Sequence, residues 1–234
     1  MPTLHWIGKD KVINHHRDVP YKVLEHQYGF TADMGNGKQP TGSGNMVIHG
    51  DNLEALKSLL PQYEGKVNCI YIDPPYNTGN EGWVYNDNVN APRIKKWLGE
   101  VVGKEGEDLS RHDKWLCMMY PRLVLLQKLL SDDGLLLVSI DDNEAASSRL
   151  VLDEIFGSSS YFNTIHWKAR GTGGQVKDGA IASQFQYVLI YAKDKRSGKL
   201  RKLSNDNAGE IKWRDFRKAG GQWQRRFRPK QFYP

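Results

Sequence analysis

Apolar runs punctuate this chain at intervals, and each ends in residues that turn or cap. Val67–Ile72, Leu135–Ile140, Tyr161–Lys168 and Tyr187–Ala192 are short, rich in β-branched, leucine or aromatic residues, and read as strands. Met46–His49 reads as a shorter one. Between them the period changes from continuous to three and four. Leu53, Leu56, Leu59 and Leu60 mark one helix up to Pro61, and Leu116, Met119, Leu123, Leu126, Leu129 and Leu130 mark a second, opened by Asp113. Pro121 predicts a kink or a fresh start within it. Asp133-Gly134 is expected to end that helix, and a third follows from Glu144 to Phe156. Strands alternating with helices predict an α/β fold with a mostly parallel sheet and helices on both faces. The last two strands predict an antiparallel edge.

The strand at Val67 stops at Asp73-Pro74-Pro75-Tyr76-Asn77-Thr78-Gly79. Proline fixes φ and lacks an N–H, so the ladder cannot continue, and each residue before a proline is pushed towards extended geometry. The stiff end presents one carboxylate (Asp73), one free carbonyl (Pro74) and one ring (Tyr76) to a common space. An exocyclic amino group on a nucleobase is a poor nucleophile, because its lone pair is delocalised into the ring. Two acceptors gripping its N–H bonds leave that lone pair free for an electrophile, and Tyr76 can stack on the base for about 1–3 kcal/mol. The plain alternative is a strand end and a proline turn. Gly50-Asp51-Asn52 ends the strand at Met46 in the same way, with Asp51 or Asn52 as N-cap of the first helix or as a carboxylate facing the ligand crevice of an open sheet. Asp141 and Asp142 close the strand at Leu135, where the reading favours a turn.

Asp-Pro-Pro-Tyr after an apolar strand resembles the signature of S-adenosylmethionine-dependent DNA amino-methyltransferases. The longer Asp73–Gly79 run, with Pro121-Arg122-Leu123 and Ser139-Ile140-Asp141-Asp142-Asn143-Glu144, is similar to the adenine-N6 modification (Mod) subunits of type III restriction systems. The resemblance implies a Rossmann-like methyltransferase sheet and S-adenosylmethionine as cofactor. It implies double-stranded DNA as substrate, a cytoplasmic setting, and a second methyltransferase subunit and a restriction helicase–nuclease as partners. It assigns catalysis to Asp73, Pro74, Pro75 and Tyr76, cofactor binding to Asp51, Asn52 and Asp73, and substrate contact to Tyr76, Asn77 and Thr78. Cytosine N4 is the rival target, and a DNA-binding remnant or half of a split enzyme is the non-enzymatic rival. The family's aromatic-x-Gly-x-Gly loop is not found, so the sheet is expected to be incomplete and the chain a truncated first half.

Composition narrows the picture further. With 39% hydrophobic residues, mean hydropathy −0.63 and no apolar run near the ~18 residues that span a bilayer, no membrane role is expected. Met1–Trp6 lacks a basic-then-apolar pattern. Cys69 and Cys117 fall in predicted apolar elements and read as buried reduced thiols without metal-ligand spacing, and the seven histidines form no ligand pattern either. Of a total net charge of +6, residues 193–234 carry +10 (14 Lys/Arg against 4 Asp/Glu), which leaves −4 for the rest. Trp213, Phe216, Trp223 and Phe227 interleave that basic stretch, which points to a polyanion reached from the C-terminal side. The expected organisation is an irregular, Gly-rich segment over 1–45, a catalytic core over 46–194, and the start of a basic target-recognition region over 195–234. Asn80–Pro92, with Trp83 and Tyr85, reads as a surface loop, 93–111 as weakly helical, and Arg170–Gln175 as a loop.

Overall fold

The computed structural model describes residues 3–31, 35–37, 39, 41–77, 96, 99–101, 110–168 and 185–197, together with the backbone of two strands, 214–217 and 224–227. Thr78, the loop expected at 80–92, most of the helix expected at 93–111 and the loop expected at 170–175 lie outside these residues. The chain divides into two compact units, Met1–Gly198 and Lys199–Pro234.

In the first unit the elements run α1 (Lys9–Val12), α2 (His15–Asp18), β1 (Gly29–Thr31), β2 (Gly35–Gly37), α3 (Asn52–Tyr63) and β3 (Val67–Ile72). They continue with α4 (Arg111–Leu129), β4 (Leu130–Ile140), α5 (Ala145–Phe156), a single 3-10 turn (Ser158–Ser160), β5 (Tyr161–Lys168) and β6 (Phe185–Ala192). The main sheet has the order β3-β4-β6-β5. β3 and β4 pair in parallel, while β6 pairs antiparallel with both β4 and β5. This is the expected α/β class with its antiparallel edge, and the parallel part among the described strands is the β3–β4 pair.

α4 organises the unit. Ser110 accepts from the Asp113 N–H while the Asp113 carboxylate accepts from the Ser110 N–H, a reciprocal cap that starts the helix two residues before the expected Asp113. Trp115 to Pro121 are buried without a break. Over that stretch the helix is enclosed on all sides, and leucine spacing alone describes only one of its faces. One cluster joins it to β4, α5 and β6 through Leu123, Leu136, Val138, Val151, Leu152 and Tyr191. A second joins it to α3 through Leu53, Leu60, Leu125 and Leu129. Pro121 lies inside α4, which runs on to Leu129.

Three expectations need correction. Met46–His49 forms no strand: among the described residues none lies beside it to share a ladder, and Val47 is fully exposed. Val67–Ile72 is a strand but not a buried one. It holds the edge of the described sheet, so Asn68, Cys69 and Tyr71 face outward, and Cys69 is an exposed thiol where a buried one was expected. Residues 1–45 are not irregular throughout. α1 and α2 dock on the body, and sparse contacts rather than an apolar stripe hold them. The Trp6 indole donates to Cys117 Sγ (3.3 Å), Lys9 pairs with Glu154 (2.7 Å), and the buried Lys57 gives its ammonium to the carbonyls of His16 (2.9 Å) and Arg17 (3.3 Å). Val12 and Val19 supply the buried apolar contacts.

β4 begins five residues before the expected Leu135, and Asp133-Gly134 belongs to its irregular first half. There Val67 pairs with Leu130 and Cys69 with Leu135, so β4 bulges by several residues. A Cβ on Gly134 would sit 2.8 Å from the Val67 carbonyl oxygen and 2.9 Å from that of Ser131. Both obstacles are backbone and cannot swing away. Gly134→Ala is therefore expected to destabilise the protein by about 1–3 kcal/mol, read as a lower urea midpoint at unchanged m-value.

In the second unit, β7 (Arg214–Arg217) and β8 (Gln224–Phe227) form an antiparallel hairpin, with Arg214 opposite Phe227.

Candidate active site

The site end of the sheet follows from lengths. α3 has 12 residues and β3 has 6, so they span about 18 Å and 20 Å. A short turn at 64–66, tied by the Gly65 and Lys66 N–H groups to the carbonyls of Lys128 and Leu129, reverses the chain between them. The start of α3, with Asp51 and Asn52, therefore lies at the same end of the fold as Asp73 beyond β3. β4 runs parallel to β3 and brings Ile140 and the 141–144 turn to that end as well. A cleft lined by Ser159, Ser160 and Lys193–Arg196 lies at the opposite end, since β6 runs antiparallel to β4.

The proline turn is pinned from behind at three points. The Trp115 indole donates to the Pro75 carbonyl (2.7 Å). The Tyr76 hydroxyl and the Ser139 hydroxyl are hydrogen-bonded at 2.8 Å. Asn77 is fully buried, with a left-handed backbone (φ 59°), and its amide donates to Glu144 Oε1 and to the Arg111 carbonyl (3.2 Å). What remains forward is the expected pair: the Asp73 side chain is exposed, and among the described residues nothing donates to the Pro74 carbonyl.

Tyr76 is half-buried and packs against the main core. Burial pushes its hydroxyl up to about 12. The hydrogen bond with Ser139 works against that rise, and the neighbouring Asp73, which also accepts from this hydroxyl, adds to it. The phenol thus stays protonated across the neutral range and ties the carboxylate to the ring.

Asp51 caps α3: its Oδ1 accepts from the N–H groups of Leu53 (2.9 Å) and Glu54 (3.2 Å). Oδ2 makes no bond in that cap. Asn52 Oδ1 accepts from Arg122 Nε (2.8 Å), and the same guanidinium donates to the Met118 carbonyl (2.6 Å). Burial lowers the guanidinium's proton affinity, and the nearby Asp51 charge opposes that. Asp141 accepts from the Asn143 backbone N–H (2.9 Å) and from its side-chain amide (2.8 Å), which is the turn role the sequence favoured. Asp142 accepts from the Tyr187 hydroxyl.

Of the residues that the sequence singled out, Asp51, Asn52 and Asp73 are exposed, Pro74, Pro75 and Tyr76 are half-buried, and the residues that hold the turn were missed. Trp115, Ser139, His112 and Glu144 had no local signal, because each lies 40 or more residues away from its partner in the turn or, for His112, acts through Glu144. Asn77, expected to touch substrate, has its side chain turned inward, and Thr78 lies outside the described residues. Among the described residues no cluster of His, Cys, Asp and Glu is suited to a metal ion, and no helix is long and apolar enough to cross a membrane.

Residues 67–231 match the DNA methylase family of N6 and N4 methyltransferases. The chain is 38% identical over 201 residues to the Mod subunit of the type III restriction-modification enzyme StyLTI of Salmonella typhimurium, covering 81% of this chain and 29% of that protein. It is 33% identical over 259 aligned positions to the EcoPI Mod subunit of Escherichia phage P1, covering 99% and 38%. Against the type II methyltransferase M.KpnI of Klebsiella pneumoniae the identity is 32% over 221 residues, covering 90% and 49%. The chain spans about a third of the length of the two Mod subunits. The match runs through β3, the proline turn and the helices and strands that brace it, and the chain belongs to this DNA methylase family.

Proposed function

We propose that this chain carries the catalytic half of a DNA methyltransferase that moves a methyl group from S-adenosylmethionine to adenine N6 in double-stranded DNA, as the modification subunit of a restriction-modification system. One observation carries the proposal: Asp73 and the Pro74 carbonyl are acceptors left forward on a turn whose Pro75 carbonyl, Tyr76 hydroxyl and Asn77 amide nitrogen are engaged from behind. The target adenine leaves the helix stack, at a cost of a few kcal/mol, and its amino group donates one N–H to each acceptor. Tyr76 stacks against the base, and Pro75 keeps the acceptors apart. The chain's part is alignment, holding the reacting atoms about 3–3.5 Å apart and in line for direct displacement. No covalent enzyme intermediate forms, so neither cysteine takes part.

The residues present fit S-adenosylmethionine, which supplies an electrophilic methyl group on a sulfonium. Asp51 keeps Oδ2 for a donor on the cofactor beyond its cap, Asn52 is held in place by Arg122, and Asp73 completes the set. The basic stretch over 193–234 approaches the phosphates, and the hairpin β7–β8 belongs to the target-recognition region that follows the catalytic core of 46–194. The setting is the cytoplasm, and the partners are a restriction helicase–nuclease and a second methyltransferase subunit.

Incubation of the complete protein with DNA and labelled S-adenosylmethionine, followed by mass analysis of the nucleosides, tests this reading. N6-methyladenine is the expected product. N4-methylcytosine would move the assignment to the rival base, and binding of DNA without label transfer would leave only a DNA-binding role.

A further inference from the structure

The turn between β4 and α5 contains a group that the reaction as described above does not use. Glu144 is fully buried, and its Oε1 accepts from Asn77 Nδ2 and is 2.7 Å from His112 Nδ1. The amide of Asn77 is oriented by two acceptors on its nitrogen side, Glu144 and the Arg111 carbonyl, so it cannot be reversed without facing oxygen to oxygen. Asn77 Oδ1 and Glu144 Oε2 have no partner among the described residues, although both are buried. A fold under selection for stability alone would place apolar atoms at that point. Asn77 is also the one described residue other than glycine with a left-handed backbone, and it stands directly after the four residues assigned to the chemistry.

We infer that Glu144 is a positioning residue for methyl transfer. Braced by His112, it latches Asn77 in the left-handed conformation and so fixes the direction in which Asp73 and Pro74 point. The inference rests on the methyltransferase reading. It adds to it a residue from a different strand–helix junction, acting at second hand through Asn77. Asparagine suits position 77 because it tolerates the left-handed region and offers an amide to the latch, whereas glycine would adopt the backbone but leave it free to depart.

The test uses steady-state methylation by the complete protein, with circular dichroism and the ¹⁵N–¹H signal of the Trp115 indole as readouts of fold and turn. Glu144→Ala is expected to lower kcat about 10–100-fold, the range that a displacement of about 1 Å produces, with KM for DNA and cofactor within threefold. It should also shift the Trp115 indole signal. Glu144→Gln keeps an oxygen that accepts from Asn77 and should stay within about threefold of the unaltered protein. Asn77→Gly should fall like Glu144→Ala, and the double variant should fall no further, because both remove one latch.

Unchanged kcat in Glu144→Ala, equal losses in Glu144→Gln, or additive losses in the double variant would each overturn the inference. If Glu144→Ala does not fold, Glu144→Gln and Asn77→Gly decide. Absence of methylation by the unaltered protein is a different result: it removes the methyltransferase reading, and the inference goes with it.

Discussion

Asp73→Ala should still bind DNA yet methylate at least about 1000-fold more slowly. The scale comes from sites where one preorganised polar group facing the reacting atoms is removed, which costs on the order of 10²–10³ in kcat. Here the loss extends further, since Asp73 also accepts from the Tyr76 hydroxyl and so aligns the stacking ring with the amine. Asp73→Asn separates these contributions. It keeps an oxygen for one N–H but turns a donor towards the other side, and a loss of about 100-fold is expected. Single-turnover methylation with saturating DNA is the measurement, because it separates chemistry from product release. Unimpaired single-turnover rates in Asp73→Ala would remove the assigned role.

The largest effect on stability is expected at Trp115. Its ring is fully buried at the centre of the main cluster, and its indole N–H holds the Pro75 carbonyl. Trp115→Ala removes a large aromatic side chain from a close-packed site and is expected to cost about 3–5 kcal/mol. For a unit of this size each kcal/mol lowers Tm by about 2–4 °C, so a fall of about 10 °C is the expected calorimetric result. Trp115→Phe keeps most of the packing and forfeits the hydrogen bond, worth about 1 kcal/mol. It should melt only a few degrees early while turnover drops, because Pro75 is no longer held. A Phe variant that melts as early as the Ala variant would show that the hydrogen bond, not the packing, supports the core.

What could be read in advance, and what could not, divides along sequence distance. The 67–76 run announced its own strand, its stop and the exposed Asp73, because proline chemistry and strand periodicity are local. The same run did not reveal that β3 sits at an edge of the described sheet. Burial depends on which strands lie alongside, and Cys69 and Tyr71 are exposed for that reason. Met46–His49 failed in a related way, since an apolar run becomes a strand only with a neighbour to bond. The docking of α1 and α2 through Lys57, Lys9 and Trp6 left no periodic trace. The pins on the turn were invisible for the same reason: Trp115, Ser139 and Glu144 are ordinary core or turn residues until the fold brings them within reach of 75–77.

α4 contributes the indole that holds Pro75, the arginine that steadies Asn52, and leucines to both apolar clusters. One rigid rod therefore sets the spacing between the cofactor end and the base end of the proposed site. A substitution that rotates or slides it changes that gauge even when it touches neither end. Variants selected only for heat resistance through repacking around this rod should scatter widely in turnover, because the ruler and the keystone are the same object.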